Sequence, residues 1–314
     1  MTQKAPGRSH RTGMTVIELL RKFPDNAAAE KWFEAERWPE GRYCPDCGST
    51  NTVAVARRKP MPYRCRDCRH HFSVRKGTVM QSNKLGLQKW TIAIYMMTTG
   101  IKGTSSMKIY RELGIRQATA WFLMQRIREG FLEGADKPFP GPVEADETYV
   151  GGKLKNLTAK RRKEARQKPD LGKAIVAGVK DRSSKRVCAA KVADTEKPTL
   201  QDFVIERTTE DATVYTDESR SYIGLPREHD TVKHSAGEYV KGDASTNGME
   251  SFWSLFKQGY HGTFHHLSEK HLDRYVREFS GRNNIRDLDT IDQMTALVRG
   301  MVGRRLRYRD LVAG

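Results

Sequence analysis

Two acidic residues stand where a divalent cation could use them. Ala212-Thr-Val-Tyr-Thr216 reads as a β-strand that delivers Asp217 at its end. About thirty residues on, Asn247 to Tyr260 reads as a helix. At about 100° per residue, Met249, Trp253, Phe256 and Tyr260 form an apolar stripe, with Asn247, Glu250, Ser254 and Lys257 on the polar stripe beside it. Carboxylate oxygens suit hard Mg²⁺, and a lysine on the same helix face suits a phosphate. Metal-dependent phosphoryl transfer needs that combination. Taken alone, the same stripe also describes an ordinary amphipathic helix with an exposed glutamate, so the other elements must decide.

A third acid comes from further upstream. Val143 to Val150 alternates, so Glu144 and Asp146 project to one face of a strand and Val143 and Ala145 to the other. Alternation puts Glu147 with the second set. Lys153 to Lys173 follows with nine Lys or Arg and almost no large apolar residue, which predicts a basic loop that would order against a phosphate backbone. Ala174–Val179 and Arg186–Val192 read as a hairpin around Asp181-Arg-Ser-Ser, and Leu200–Glu206 as a short helix. Three antiparallel strands, a helix, a strand and a helix is the element order of a ribonuclease H-like domain. There the first and fourth strands lie side by side, so Asp146 and Asp217 would converge and the helix carrying Glu250 would cross beside them.

The second chemical constellation is sulfur. Cys44-Pro-Asp-Cys47 and Cys65-Arg-Asp-Cys68 are separated by seventeen residues. Two such knuckles match a tetrathiolate zinc ribbon, in which a closed shell leaves no open position and the one Zn²⁺ is structural. Arg57, Arg58, Lys59, Arg64, Arg66 and Arg69 crowd this module, either as a DNA-phosphate contact or as a solvated face. The fifth cysteine, Cys188, stands alone in an expected strand. This usage suits a reducing cytosol better than a disulfide framework.

The chain has 314 residues, with 56 Lys+Arg against 38 Asp+Glu, a formal charge of +18. Such an excess points to a polyanion, most simply nucleic acid. No apolar run long enough to span a membrane and no signal-peptide pattern occurs, so no membrane partner is expected. Between the ribbon and Asp146, residues 99–131 read as helix, tight turn, helix: Ser105-Ser106 caps the first, Leu113-Gly114-Ile115 turns, and Gln117–Glu129 is the second. In a helix-turn-helix the early residues of that second helix, Arg116, Gln117, Thr119 and Ala120, would meet base edges, with Arg126 and Arg128 adding phosphate contacts. A plain helical hairpin is the other reading.

CPDCG…YRCRDC, the helix-turn-helix, VEADETYVGGK, VYTDESRSY and TNGMESFWSLFKQGYHGTFHHLSEKHLDRYVREFSGRNN together resemble bacterial insertion-sequence transposases that carry a zinc ribbon ahead of a D-D-E catalytic domain. The likeness covers roughly Phe23 to Arg286. It implies an acidic triad at Asp146, Asp217 and Glu250, and its motif selects Asp146 over Glu144. Such transposases often carry a His just before the TN of the third motif; here Ala244-Ser245 stands there.

The resulting expectation is a multidomain α+β chain. Residues 1–38 form a disordered start and helical lead-in, 39–80 the zinc ribbon, and 81–134 a helix-turn-helix DNA-binding domain. Residues 135–290 form a ribonuclease H-like α/β catalytic domain with a basic insertion at 153–173, and 291–314 a basic C-terminal tail. The acids would hold two Mg²⁺ or Mn²⁺ ions. Lys257, Arg161, Arg162 and Lys163 would contact DNA backbone, and His234 and Asn247 are possible accessory groups. His261, His265, His266 and His271 read as structural or phosphate-contacting. The expected partner is double-stranded DNA, both transposon ends and target, engaged by a homo-oligomer in the bacterial cytoplasm at the nucleoid. A nuclease that cuts without strand transfer and a non-catalytic DNA-binding regulator are the rival classes.

Overall fold

The computed structural model describes residues 4–5, 8–55, 57, 59–131, 138–151, 163, 173–232 and 245–313. They divide into two compact units, Met1–Leu132 with Ile285–Gly314, and Glu133–Asn284.

The first unit opens with β1 (Lys4–Ala5) paired antiparallel to β2 (Arg8–Thr12), so part of the start expected to be disordered carries a short ladder. Helix α1 (Val16–Lys22) begins at a capping box between Thr15 and Glu18, and α2 (Asn26–Arg37) begins where Asp25 accepts the Ala28 N–H at 2.8 Å. Strands β3 (Thr52–Ala54), β4 (Tyr63–Cys65) and β5 (His71–Phe72) form an antiparallel sheet in that order. Three such short strands bury too little to be stable alone. Trp38, at the end of α2, meets Tyr63 and Phe72 edge-on and joins them to the helices. Helices α3 (Leu87–Thr99), α4 (Ser106–Leu113) and α5 (Gln117–Arg128) follow. Ser105 caps α4, and Gly114 ends it at φ 56°, a left-handed position that suits glycine.

The second unit is a five-stranded sheet in the order β10-β9-β6-β7-β8. Its centre is β6 (Val143–Gly151), antiparallel to β7 (Lys173–Asp181), which pairs with β8 (Val187–Val192). On the other side β9 (Thr213–Thr216) runs parallel to β6, and β10 (Glu228–Thr231) parallel to β9. The polar sequence of β10, Glu-His-Asp-Thr, carries no strand alternation, and it was not expected from the sequence. Alternation along β6 splits the core. Val143 and Ala145 pack with Leu200 and Val204 of α6 (Lys197–Ile205). Val150 packs with Met249, Trp253 and Phe256 of α7 (Asn247–Gly259) and Val276 and Phe279 of α8 (Leu272–Asn284).

Residues 285–313 rejoin the first unit. Met294, Leu297 and Val298 of α9 (Thr290–Gly300) are buried in one core with Leu19, Phe33, Cys65, Trp90 and Leu123, and α10 (Tyr308–Val312) follows. The tail expected from residue 291 is therefore core structure, because Met294, Leu297, Val298 and Met301 fall on one helix face. The same packing joins the lead-in, ribbon and helix-turn-helix segments, expected as separate domains, into one unit.

Candidate active site

Strand β6 and helix α7 bring Asp146 and Glu250 to one cavity. It measures about 560 Å³ and is lined among others by Asp146, Glu147, Glu250, Trp253, Lys257 and His261. Glycine makes this approach possible. Gly178 of β7 pairs directly with Asp146, and a Cβ there would lie 2.8 Å from the Trp253 ring. With no side chain at that point, α7 lies close against the sheet and its polar stripe reaches the face of β6 that carries Asp146.

Asp217 arrives by strand register. Val143 pairs with Val214 and Glu144 with Tyr215 in parallel, so two steps on Asp146 and Asp217 stand side by side at the end of β9. Asp217 Oδ1 accepts the Ser219 N–H at 3.0 Å, which turns the chain immediately after the strand. Asp217 is outside the lining of the cavity. Among the described residues, the sets of metal-ligating side chains whose ligand atoms all lie within 4.8 Å are the four cysteines and Asp46, Cys68 and His70. The three carboxylates thus share a neighbourhood without forming a closed shell.

Electrostatics mark the same place. Burial, then the charges of Glu147 and Asp217, push the Asp146 carboxyl up to about 7. Burial also raises Glu147, although its hydrogen bond from Tyr222 Oη, at 2.8 Å, opposes the shift. Carboxylates crowded this way fit a divalent cation, whose charge would relieve their repulsion. Glu144 shares the Asp146 face but is differently engaged: one oxygen accepts Arg182 Nε at 2.9 Å and the other the Met249 N–H at 2.8 Å. Asp146 is left as the acid of that face open to the cavity.

The ribbon cysteines meet as well. Cys44 and Cys68 sulfurs are 3.6 Å apart, and Cys47 and Cys65 sulfurs 3.7 Å. Zn–S bonds of about 2.3 Å in a tetrahedron imply about 3.8 Å between sulfurs, so the residues present fit a structural zinc. Lys76 and His70 both bind Asp46 beside it.

The expected DNA contacts divide. Arg116 and Gln117 are exposed at the start of α5 and Thr119 is half-buried, while Ala120 is buried. Arg126 departs from expectation: it is buried, donates from Nε to Leu306 O at 3.1 Å and stacks on Phe122. Arg128 is buried too. The returning C-terminal segment covers that side of α5, which local spacing cannot reveal. Lys257 and Asn247 are exposed on α7, and Lys163 is exposed. Arg161, Arg162 and His234 lie outside the described residues.

Sequence reasoning missed Tyr222, which holds Glu147 by a hydrogen bond and carried no signal along the chain. Trp253, read only as part of the apolar stripe, lines the cavity with Asp146, and His261, read as structural or phosphate-contacting, lines it one turn beyond Lys257.

Residues 138–284, nearly the whole second unit, match an ISXO2-like transposase domain. Residues 24–71 match a transposase zinc-ribbon domain. An uncharacterized protein in transposable element ISH50 of Halobacterium salinarum is 30% identical over 284 residues, covering 85% of this chain and 93% of that relative. With both domains matched in order and a relative aligned along almost its whole length, the chain belongs to the family of insertion-sequence transposases that join a zinc ribbon to an ISXO2-like transposase domain.

Proposed function

We propose that this transposase binds the inverted repeats at transposon ends and catalyses metal-dependent strand cleavage and strand transfer with Asp146, Asp217 and Glu250. One observation carries the reading: β6 sets Asp146 beside Asp217 by register and beside Glu250 across a cavity that Lys257 also lines. The strand order, with the fourth strand parallel and adjacent to the first, supports a ribonuclease H-like sheet. Two Mg²⁺ or Mn²⁺ ions would activate the attacking oxygen and stabilise the leaving 3′-oxygen. The three carboxylates would hold the ions, and Lys257 would place the scissile strand by its phosphates. Trp253 lines the cavity beside Asp146.

Sequence choice is assigned to Arg116, Gln117 and Thr119 in a helix-turn-helix, with Arg64, Arg66 and Arg69, all exposed on the ribbon, adding phosphate contacts. The basic insertion around Arg161, Arg162 and Lys163 would add salt-sensitive affinity, and His234 and Asn247 are accessory candidates. Joining two ends calls for a homo-oligomer on DNA, acting at the nucleoid. No helix among the described residues is long and apolar enough to cross a membrane.

A plasmid transposition assay with the DNA flanking this gene tests the proposal. Wild type should yield joined products and Glu250→Gln none. Cut ends without joined products would make the protein a nuclease instead.

A further inference from the structure

We propose that Glu144 is a positioning residue: from strand β6 it caps the helix that carries Glu250 and so sets the distance between Glu250 and Asp146. The inference rests on the reading of Asp146, Asp217 and Glu250 as the metal-holding acids.

Glu144 is 5% exposed. A carboxylate that deep is tolerated only when its charge is paired and its oxygens are bonded. Both conditions are met, and both partners belong to the approach of α7. Oε1 faces Arg182 at 2.9 Å and Oε2 takes the Met249 N–H at 2.8 Å. Met249 is the third residue of α7, one of the amides that a helix leaves for a capping side chain. Thr246 precedes the helix without a side-chain capping bond to it, and Glu144 takes the amide from across the sheet. Its negative charge also sits at the positive end of the helix dipole.

The neighbouring cations tighten the same joint. Arg182 donates to Ser245 O at 2.5 Å and Ser245 Oγ at 2.7 Å, and Lys180 Nζ donates to Gly248 O at 3.0 Å. Arg182 also lies over the Tyr215 ring at 4.3 Å, two residues before Asp217. Residues 245–249 are thereby tied to the strands, and Glu250 is the next residue. Gly248 lies close under the same groups: a Cβ there would lie 2.6 Å from Glu144 Oε2, so the Glu144 carboxylate would have to shift. Glu144 and Asp146 occupy alternate positions on one face of one strand, so the acid that holds metal and the acid that holds the helix move together.

The test uses full-length protein with transposon-end duplex, titrated with Mn²⁺ while free Mn²⁺ is followed by electron paramagnetic resonance, the duplex alone serving as blank. Cleavage is measured across the same titration and folding by thermal melting. Glu144→Gln should raise the Mn²⁺ midpoint in both readouts by about tenfold or more, with cleavage recovering at saturating metal. Gly248→Ala, which leaves every charge in place, should shift the midpoint in the same direction and serves alone if Glu144→Gln does not fold. A wild-type midpoint in the folded variants, whatever their melting temperature, overturns the proposal by reducing Glu144 to a stabiliser. Loss of cleavage at every Mn²⁺ concentration overturns it by making Glu144 a metal-holding acid itself. Glu250→Gln runs in parallel: activity in that variant removes the underlying reading, whereas a dead Glu250→Gln beside an unshifted Glu144→Gln removes only the positioning role.

Discussion

Asp146 and Gly178 are partners in the antiparallel ladder of β6 and β7, and the space that a side chain at Gly178 would fill is taken by Met249 and Trp253. An acid and the absence of a side chain opposite it are therefore one feature. Gly178→Ala should push α7 off the sheet, lowering stability by about 1–3 kcal/mol and cleavage with it. Thermal melting and a cleavage assay would show this; an unchanged melting profile would mean that α7 does not need that approach.

Asp146→Asn, Asp217→Asn and Glu250→Gln should each abolish strand cleavage while end binding persists, because the groups assigned to sequence reading lie in the other unit. Gel-shift and cleavage assays on the same preparations decide. Full strand transfer in any variant removes that residue from the site.

The pH dependence has a definite sign. Burial and the charges of Glu147 and Asp217 push the Asp146 carboxyl up to about 7, against 3.8 for an ordinary aspartate. Between those values the folded state keeps a proton that the unfolded state has released, so metal-free protein should lose stability as pH rises from about 4 to about 7. A divalent cation competes with that proton, so Mg²⁺ should bind more tightly as pH rises through 7 and offset the loss. Melting temperatures at pH 5 and 7.5, with and without Mg²⁺, test both statements; metal stabilisation that is greater at pH 5 would contradict them.

Metal analysis should find about one zinc per chain. Cys44 and Cys65 are buried in the core that also holds Phe33 and Trp90, so Cys65→Ser should release zinc and destabilise the whole first unit. A zinc-free variant that melts like wild type would refute the structural role.

Arg126→Ala and Gln117→Ala should separate. Arg126 is buried and bonded to Leu306 O, so its loss should cost about 1–3 kcal/mol of stability. Gln117 is exposed, and its loss should weaken end binding without affecting melting. Equal melting temperatures for the two variants would contradict the assignment of Arg126 to the core.

Much of the chemistry was legible along the chain. The two Cys-x-x-Cys knuckles needed only their spacing, since a tight turn presents both thiolates to one side. The alternation of Val143 to Val150 placed Glu144 and Asp146 on one face, because successive side chains of a strand must diverge, although it did not show that Glu147 lines the same cavity as Asp146. The periodicity of Met249, Trp253, Phe256 and Tyr260 turned Glu250 and Lys257 to a common polar side. These are local rules, and neighbours in sequence suffice to apply them.

Contacts between distant segments were not legible. Arg126 reads as a helix-face cation until a segment some 180 positions away accepts its hydrogen bond. The residues after Asp292 read as a tail until Met294 and Leu297 find a core to fill. Glu144 and Asp146 are equivalent by alternation; the family motif selects Asp146, but the partners that occupy Glu144, Arg182 and the Met249 amide, come from distant segments. The sequence by itself determined which residues can bind metal and which face of each element they occupy, because strand and helix periods follow from backbone geometry. Tertiary structure decided which charges are engaged and which are open, because burial and partnership depend on segments that meet only when the chain has folded.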